Sequence, residues 1–314
     1  MKHKKKIAVV GTGYVGLVAG ACFADMGHQV HCVDHDPDRL FALQAGKIPI
    51  YEPGLDKVVA DNIEAGRLSF TGAISEAVSE CDAAFIAVGT PPRGSDGEAD
   101  LSFVFDCASE IARSIRPGAI IVTKSTVPVG TGDSIARIVA HERPDMSIPV
   151  ASNPEFLREG SAIGDFSEPD RIVIGCEDDF AAETLEQIYE SITQRGHRLI
   201  RTRRRSSELI KYASNAFLAA KITFINEMAD LCEVVGADVE DIALGMGLDS
   251  RIGPHFLHAG PGYGGSCFPK DTNALVRTAQ EYGVPLRIPE YPPTHSDNMR
   301  PPVPDYSPAC DALP

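Results

Sequence analysis

Cys267 stands in the segment GPGYGGSCFPKDT, residues 261–273, where a glycine-rich loop runs into a helix signal. Gly262, Gly264 and Gly265 allow the backbone to approach a ligand closely, and Pro269 suits a first helical turn. A helix N-terminus carries partial positive charge, which favours thiolate over thiol. Lys270 and Asp271 follow at once. They offer a cation for an anionic ligand and a carboxylate for work on water or protons. A single cysteine is most often a small buried hydrophobe; the flanking residues here point instead to a presented nucleophile.

A second chemical signal is GTGYVG at 11–16. The apolar run IAVV at 7–10 precedes it and an Ala- and Gly-rich helical pattern follows, so Gly11, Gly13 and Gly16 read as the turn of a strand–glycine–helix unit. Another apolar run, Gln29 to Val33, ends at Asp34, eighteen positions after Gly16. An acid at that place can hold both ribose hydroxyls of NAD and repels the additional phosphate of NADP. Glu155 and Glu159 lie four apart in NPEFLREG, residues 153–160, and share one face if that segment is helical. Lys211 and Asn215 have the same spacing, and Asn215, set among apolar residues, needs a partner if buried. Solvated surface is the ordinary reading of such polar pairs. Nearness to the ligand edge of a sheet makes Glu155 and Glu159 candidates for catalysis.

These residues must be positioned by elements. Strand signals at Ala83–Val88 and Ile120–Thr123 alternate with helical segments such as 101–115. The alternation predicts an α/β fold with a Rossmann-like doubly wound parallel sheet. Ligands of such sheets lie beyond the carboxyl ends of the strands, where Gly89-Thr90-Pro91 and Ser125-Thr126-Val127-Pro128 stand. Thr90 and Thr126 are therefore cofactor-facing candidates, although threonines at strand ends also serve as plain turn residues. Ser206–Val235 has neither glycine nor proline for thirty residues, enough for one helix of about 45 Å. Its predicted apolar face is Leu209, Ala213, Ala216, Phe217, Ala220, Phe224 and Leu231, and a dimer seam is the expected use of such a helix. From Pro285 to Pro314 come nine of the twenty-three prolines, a density that blocks helix and central strand. The expected organisation is a Rossmann-like domain at 1–205, a long-helix central domain carrying the cysteine loop at 206–288, and an irregular proline-rich tail at 289–314.

Composition narrows the class. A net charge of -15 argues against a general binder of nucleic acid or membrane surfaces. The local exception, Arg195, Arg198, Arg201, Arg203, Arg204 and Arg205, reads first as a solvated surface and second as steering for an anionic substrate. Eight scattered cysteines form no CxxC pair and no metal-ligand spacing, so no metal is expected and a reducing cytoplasm fits. The start MKHKKK runs into the first strand pattern, and neither a signal peptide nor a membrane anchor is read.

With GTGYVG at 11–16, NPEFLREG at 153–160, ELIKYASNAFLAAKITFINEMADLC at 208–232 and GPGYGGSCFPKDT at 261–273, the sequence resembles the UDP-glucose 6-dehydrogenase family over about residues 7–288. The resemblance implies oxidation of a sugar alcohol twice with two NAD+, giving an acid. It assigns Cys267 the attack on the aldehyde, forming a thiohemiacetal and then a thioester. Lys211 and Asn215 would stabilise oxyanion character, while Asp271, Thr126 and Glu155 would handle protons and the hydrolytic water. Cofactor contacts would come from Gly11, Gly13, Val15, Gly16, Asp34, Arg39, Thr90, Thr126, Glu159 and Lys270. Substrate contacts would come from Glu155, Phe156, Leu157, Arg158 and Glu159, from Lys211 and Asn215, and from the loop Phe256, Leu257, His258, Ala259, Gly260 with Gly264. Arg251 would reach the substrate of a neighbouring subunit. A homodimer through the 206–235 helix is the implied assembly.

SCFPKD favours the UDP-glucose branch over relatives acting on N-acetylated UDP-sugars, whose loops usually have His before the Cys, while GDP-mannose 6-dehydrogenase shares the GGSC element. Members of the family continue into a second Rossmann-like domain that grips the UDP portion, and the tail here resembles no part of it. The expectation is therefore a dehydrogenase impaired by truncation, with a catalytically silent NAD-binding remnant as the alternative. A simple 3-hydroxyacid dehydrogenase is weaker still, because it has no use for the cysteine loop.

Overall fold

The structure, a computed structural model, describes residues 4–91, 93, 99–265 and 268–286. Cys267, Cys310 and the expected tail at 289–314 lie outside the described residues. The chain divides into two compact units: the first holds the described residues up to Asn215 with Lys270–Leu286, the second holds Ala216–Pro269.

In the first unit β1 (Lys6–Val10), β2 (Gln29–Val33), β3 (Leu68–Thr71), β4 (Ala83–Ile86), β5 (Ile120–Thr123), β6 (Val150–Ser152), β7 (Arg171–Gly175) and β8 (Arg198–Thr202) form one sheet in the order β3-β2-β1-β4-β5-β6-β7-β8. Central strands such as β4 and β5 are buried along their whole length, as expected of a sheet covered on both faces. Alternation divides the core: Ile7, Val9 and Phe85 join Leu17, Phe23 and Tyr189 on one face, whereas Ala8, Val10 and Ile86 join Ile111 and Ile135 on the other. The order reverses at β1, with β2 and β4 on its two sides, which creates the crevice where doubly wound sheets bind ligands.

The doubly wound sheet is parallel except at one junction, where β6 and β7 pair antiparallel through Ser152 and Gly175. The chain leaves β6 into the 153–161 loop, and α7 (Ala162–Ser167) has only six residues, about 9 Å of helix. That is too short to return the chain across the sheet, so β7 starts at the carboxyl edge of β6 and runs back.

The remaining helices of this unit are α1 (Tyr14–Asp25), α2 (Pro37–Gln44), α3 (Leu55–Glu64), α4 (Ile74–Val78), α5 (Ser102–Ser114), α6 (Thr131–Glu142), α8 (Asp179–Ile188) and α9 (Glu190–Thr193). The long helix α10 (Arg204–Val235) has 32 residues. Its start lies hard against β7, because a Cβ on Gly175 would sit 2.6 Å from the Ser207 Cβ. The arginine cluster helps to clamp it there. Arg204 and Arg205 both pair with Asp133 of α6, Arg204 also donates to the Val150 carbonyl, and Arg201 pairs with Asp179. The predicted apolar face of α10 is largely its outward one: Leu209, Ala213, Phe217, Phe224 and Leu231 are exposed, whereas Tyr212, Ala216, Ala219, Ile225 and Cys232 are buried.

The second unit holds the rest of α10 and α11 (Val239–Gly247), and α12 (Phe268–Glu281) begins at its end. Among the described residues no helix is long and apolar enough to cross a membrane.

Candidate active site

The three glycines of GTGYVG have different physical jobs. Gly11 has φ +100°, and a Cβ there would lie 2.6 Å from the Ala87 carbonyl oxygen. A Cβ on Gly16 would lie 1.9 Å from the Gly11 carbonyl oxygen. Both are required for α1 to pack on β1 and β4. A Cβ on Gly13 would meet nothing within 4 Å, so this glycine faces open space at the N-terminus of α1. Val15 lies half-buried in the first turn, which carries no acidic residue. An unblocked helix N-terminus behind a bare Cα is what a diphosphate needs.

Asp34 follows β2 and is buried. Its Oδ2 accepts from the Thr12 amide at 2.9 Å, from the Thr12 hydroxyl and from Arg39 at 3.2 Å, and Oδ1 accepts from the Asp36 amide at 3.0 Å. Burial pushes its carboxyl up, but the Thr12 and Asp36 donors with the Arg39 charge outweigh burial and hold it below the usual carboxylate range. The acid is thus kept ionised and oriented beside the glycine turn. Thr90 and Thr126 meet beyond β4 and β5, where the Thr90 hydroxyl donates to the Thr126 carbonyl at 3.1 Å.

Four residues expected to do chemistry form two buried pairs. Lys211 Nζ donates to Glu155 Oε1 at 2.8 Å, with both side chains almost inaccessible. One turn further along α10, Asn215 Nδ2 donates to Asp271 Oδ2 at 2.6 Å. Lys270 donates to the other oxygen of Asp271 at 2.9 Å. Phe156 lies under the Arg171 guanidinium at 3.9 Å and near Lys211 Nζ at 5.5 Å.

The condition for Glu155 and Glu159 to share a face, a helix over NPEFLREG, is not met: residues 153–158 are irregular, and Glu159 and Gly160 form a turn. Side chains have taken the amides a helix would use. Leu157 donates to Glu155 Oε2 at 2.6 Å, Arg158 to Asp165 at 2.7 Å and Gly160 to Glu52 at 2.8 Å. Glu155 and Glu159 therefore share no face, the first being buried and the second exposed.

Three residues of this edge were not singled out from sequence. Lys124, directly after β5, is buried and bonded to Asn153. Glu52 accepts from the Tyr14 hydroxyl of the glycine turn and from the Gly160 and Ala162 amides. Glu208 of α10 accepts from the Gly130 and Gly132 amides at 2.7 Å each. Their partners are 29 to 110 positions away in sequence, so no local pattern could have revealed them. The one available signal is a charged residue next to a run of apolar strand residues, as for Lys124 after IIVT.

In the second unit, Arg251 is exposed and pairs with its neighbour Asp249. Phe256 takes φ 64° with its ring tilted against that of Phe268, Leu257 is buried, and exposed His258 lies 3.5 Å from Glu240. Gly260 donates to Asn226 at 2.9 Å; Ala259 is half-buried and Gly264 exposed. Cys267, the expected nucleophile, lies outside the described residues, and α12 begins at the next position, with Pro269 in its first turn.

Comparison with known proteins gives this geometry a family. Residues 5–193 match the NAD binding domain of the UDP-glucose/GDP-mannose dehydrogenase family, and residues 205–291 match its central domain. A UDP-glucose 6-dehydrogenase of Rhizobium meliloti is 58% identical over 94% of this chain and 68% of its own length. A UDP-glucose dehydrogenase from Pyrobaculum islandicum superposes with TM-score 0.86 at 46% identity, covering 90% of this chain and 65% of that one. A GDP-mannose dehydrogenase from Pseudomonas aeruginosa superposes with TM-score 0.74 at 34% identity, covering 89% and 65%. The chain thus spans about two thirds of the length of these relatives. The glycine turn, the acid after β2 and the domain matches agree: the chain belongs to the UDP-glucose/GDP-mannose dehydrogenase family, with NAD as the cofactor of its N-terminal domain.

Proposed function

We propose that the chain oxidises UDP-glucose to UDP-glucuronate in two NAD-dependent steps. The observation that carries this reading is the pair of buried contacts, Lys211 with Glu155 and Asn215 with Asp271, built in the unit that also carries the dinucleotide turn. Burying an ammonium and two carboxylates is costly even when they are paired, and such buried charge clusters concentrate at functional sites. Residues 1–205 would hold most of the cofactor and supply Thr126 and Glu155, and 206–288 would supply Cys267, Lys211, Asn215 and Asp271.

Gly11, Gly13, Val15, Gly16, Asp34, Arg39, Thr90, Thr126, Glu159 and Lys270 would hold NAD, which when bound accepts hydride. The Cys267 thiolate would add to the aldehyde carbon, giving a thiohemiacetal whose oxygen takes a proton. Loss of hydride and a proton from that adduct leaves a thioester, and water then replaces sulfur to release the acid and return the thiol. Lys211 and Asn215, both donors, would stabilise the oxyanions of these steps. Asp271, Thr126 and Glu155 would take and return protons. Phe156, Leu157 and Arg158 would contact substrate, together with the Phe256–Gly260 loop and Gly264, and Arg251 would reach the substrate of a neighbouring subunit. The identity with the Rhizobium meliloti enzyme supports UDP-glucose over GDP-mannose.

The test is NADH formation by purified chain of verified mass, with each sugar nucleotide in turn. UDP-glucose should yield two NADH per acid. Turnover of GDP-mannose alone, or of neither, would overturn this reading. We further propose a cytoplasmic homodimer, with the outward face of α10 as its seam.

A further inference from the structure

Lys124 is a buried ammonium to which neither the sequence motifs nor the proposed mechanism give a task. It stands directly after β5, two positions before Thr126. Its Nζ donates to Asn153 Oδ1 at 3.1 Å and to the Asn153 carbonyl at 3.4 Å, and it lies 5.7 Å from the centre of the Phe166 ring. Asn153 is the hub of this arrangement. It donates Nδ2 to the Val173 carbonyl at 2.9 Å and its amide to the Thr123 carbonyl at 2.8 Å, and its Oδ1 also accepts from the Tyr189 hydroxyl at 2.6 Å. Both oxygens of Asn153 are thus held by Lys124 at the point where β6 ends, and two positions later the same segment delivers Glu155 to Lys211.

We propose that Lys124 is a positioning residue for the Glu155–Lys211 pair: it fixes the start of the Glu155 loop through Asn153 and places a second positive charge near that carboxylate. The inference rests on the reading that this pair serves the oxidation. The charged or titratable groups that face Lys124 are Glu155 from the loop, Lys211 from α10, Cys22 from α1 and Tyr189 through Asn153. Burial lowers the Lys124 amine to about 8, against the opposing pull of Glu155 and with a smaller push from Lys211. Around that pH the ammonium loses a proton to solvent. The hold on Asn153 then weakens, and Lys211 is relieved of a like charge.

The experiment follows lysine signals by NMR in the chain labelled with 13C at lysine Cε, from about pH 6 to pH 11. Lys124→Arg and Lys211→Arg assign the two signals by removing them. The expected result is a Lys124 signal titrating near 8, with the Lys211 signal shifting at the same midpoint and losing that step in Lys124→Met. In turnover, Lys124→Met should lower kcat/KM by about 10- to 100-fold, with NAD+ affinity changed less than about threefold and partial recovery in Lys124→Arg. An unchanged kcat/KM in Lys124→Met, or a Lys211 signal flat through the Lys124 step, overturns the proposal. If Lys124→Met does not fold, the parental titration decides alone. A parental chain that turns over no sugar nucleotide refutes the proposed function, and the titration still decides on Lys124.

Discussion

Gly13 and Gly16 stand three positions apart in one turn, and the surroundings of their Cα atoms separate stability from binding. A methyl group on Gly16 would overlap the Gly11 carbonyl, with 1.9 Å between centres. Gly16→Ala must therefore push α1 off the sheet, at a cost of about 2 to 3 kcal/mol or more. A methyl group on Gly13 would touch no protein atom within 4 Å, so Gly13→Ala should melt within a few degrees of the parent. That methyl would instead fill the space in front of the α1 N-terminus, so NAD+ binding should fall by at least about tenfold. Thermal melts with calorimetric titration of NAD+ separate the two outcomes. Equal loss of stability in both variants, or unchanged NAD+ affinity in Gly13→Ala, would show that the open space is not the diphosphate site. The glycine spacing was legible in the sequence because every constraint on it is local. Lys124 and Glu52 were not, because a charge is known to be buried and bonded only when strands far apart in sequence are brought together.

At the scale of elements, legibility followed the same division. β5 lies where the apolar run placed it, since a fully covered strand must be apolar along its whole length. The 153–160 segment, whose two acids would share a face only in a helix, is irregular because Glu52, Asp165 and the Glu155 carboxylate itself claim its amides. Glu208 works in the same way at another helix start, joining α10 to the Gly130 and Gly132 amides at the head of α6. Burial dominates there and lifts its carboxyl from the ordinary 4.5 to about 7, although the two amides pull it down. The folded chain then binds this proton more tightly than the unfolded chain does. The stability contributed by the group is fully present below pH 4.5 and is lost as the pH rises through about 7. Glu208→Gln, which cannot ionise, should flatten the dependence of unfolding free energy on pH across that window. Urea unfolding of both proteins at several pH values measures it, and parallel pH profiles for parent and variant would contradict the assignment.

For the whole molecule, the proposed dimer rests on the outward face of α10. Phe217 is 68% exposed, Phe224 43% and Leu231 50%, and with Ile210 they recur every seven positions, while Ala213 and Ala220 stand three residues after the first two. A seven-residue apolar repeat flanked by small side chains suits the seam of two closely packed helices, and a two-fold axis would let the same face serve both copies. A net charge of -15 opposes association at low ionic strength, but at physiological salt the repulsion is screened beyond about 8 Å. Apolar contact along the helix should then prevail, giving a dimer in the micromolar range or tighter. Phe217→Asp with Phe224→Asp places like charges on the seam and should yield a monomer with the parental circular dichroism. Sedimentation equilibrium at low and physiological salt gives the masses: a parent that stays monomeric at about 100 micromolar, or a double variant that still dimerises, would move the subunit contact away from α10.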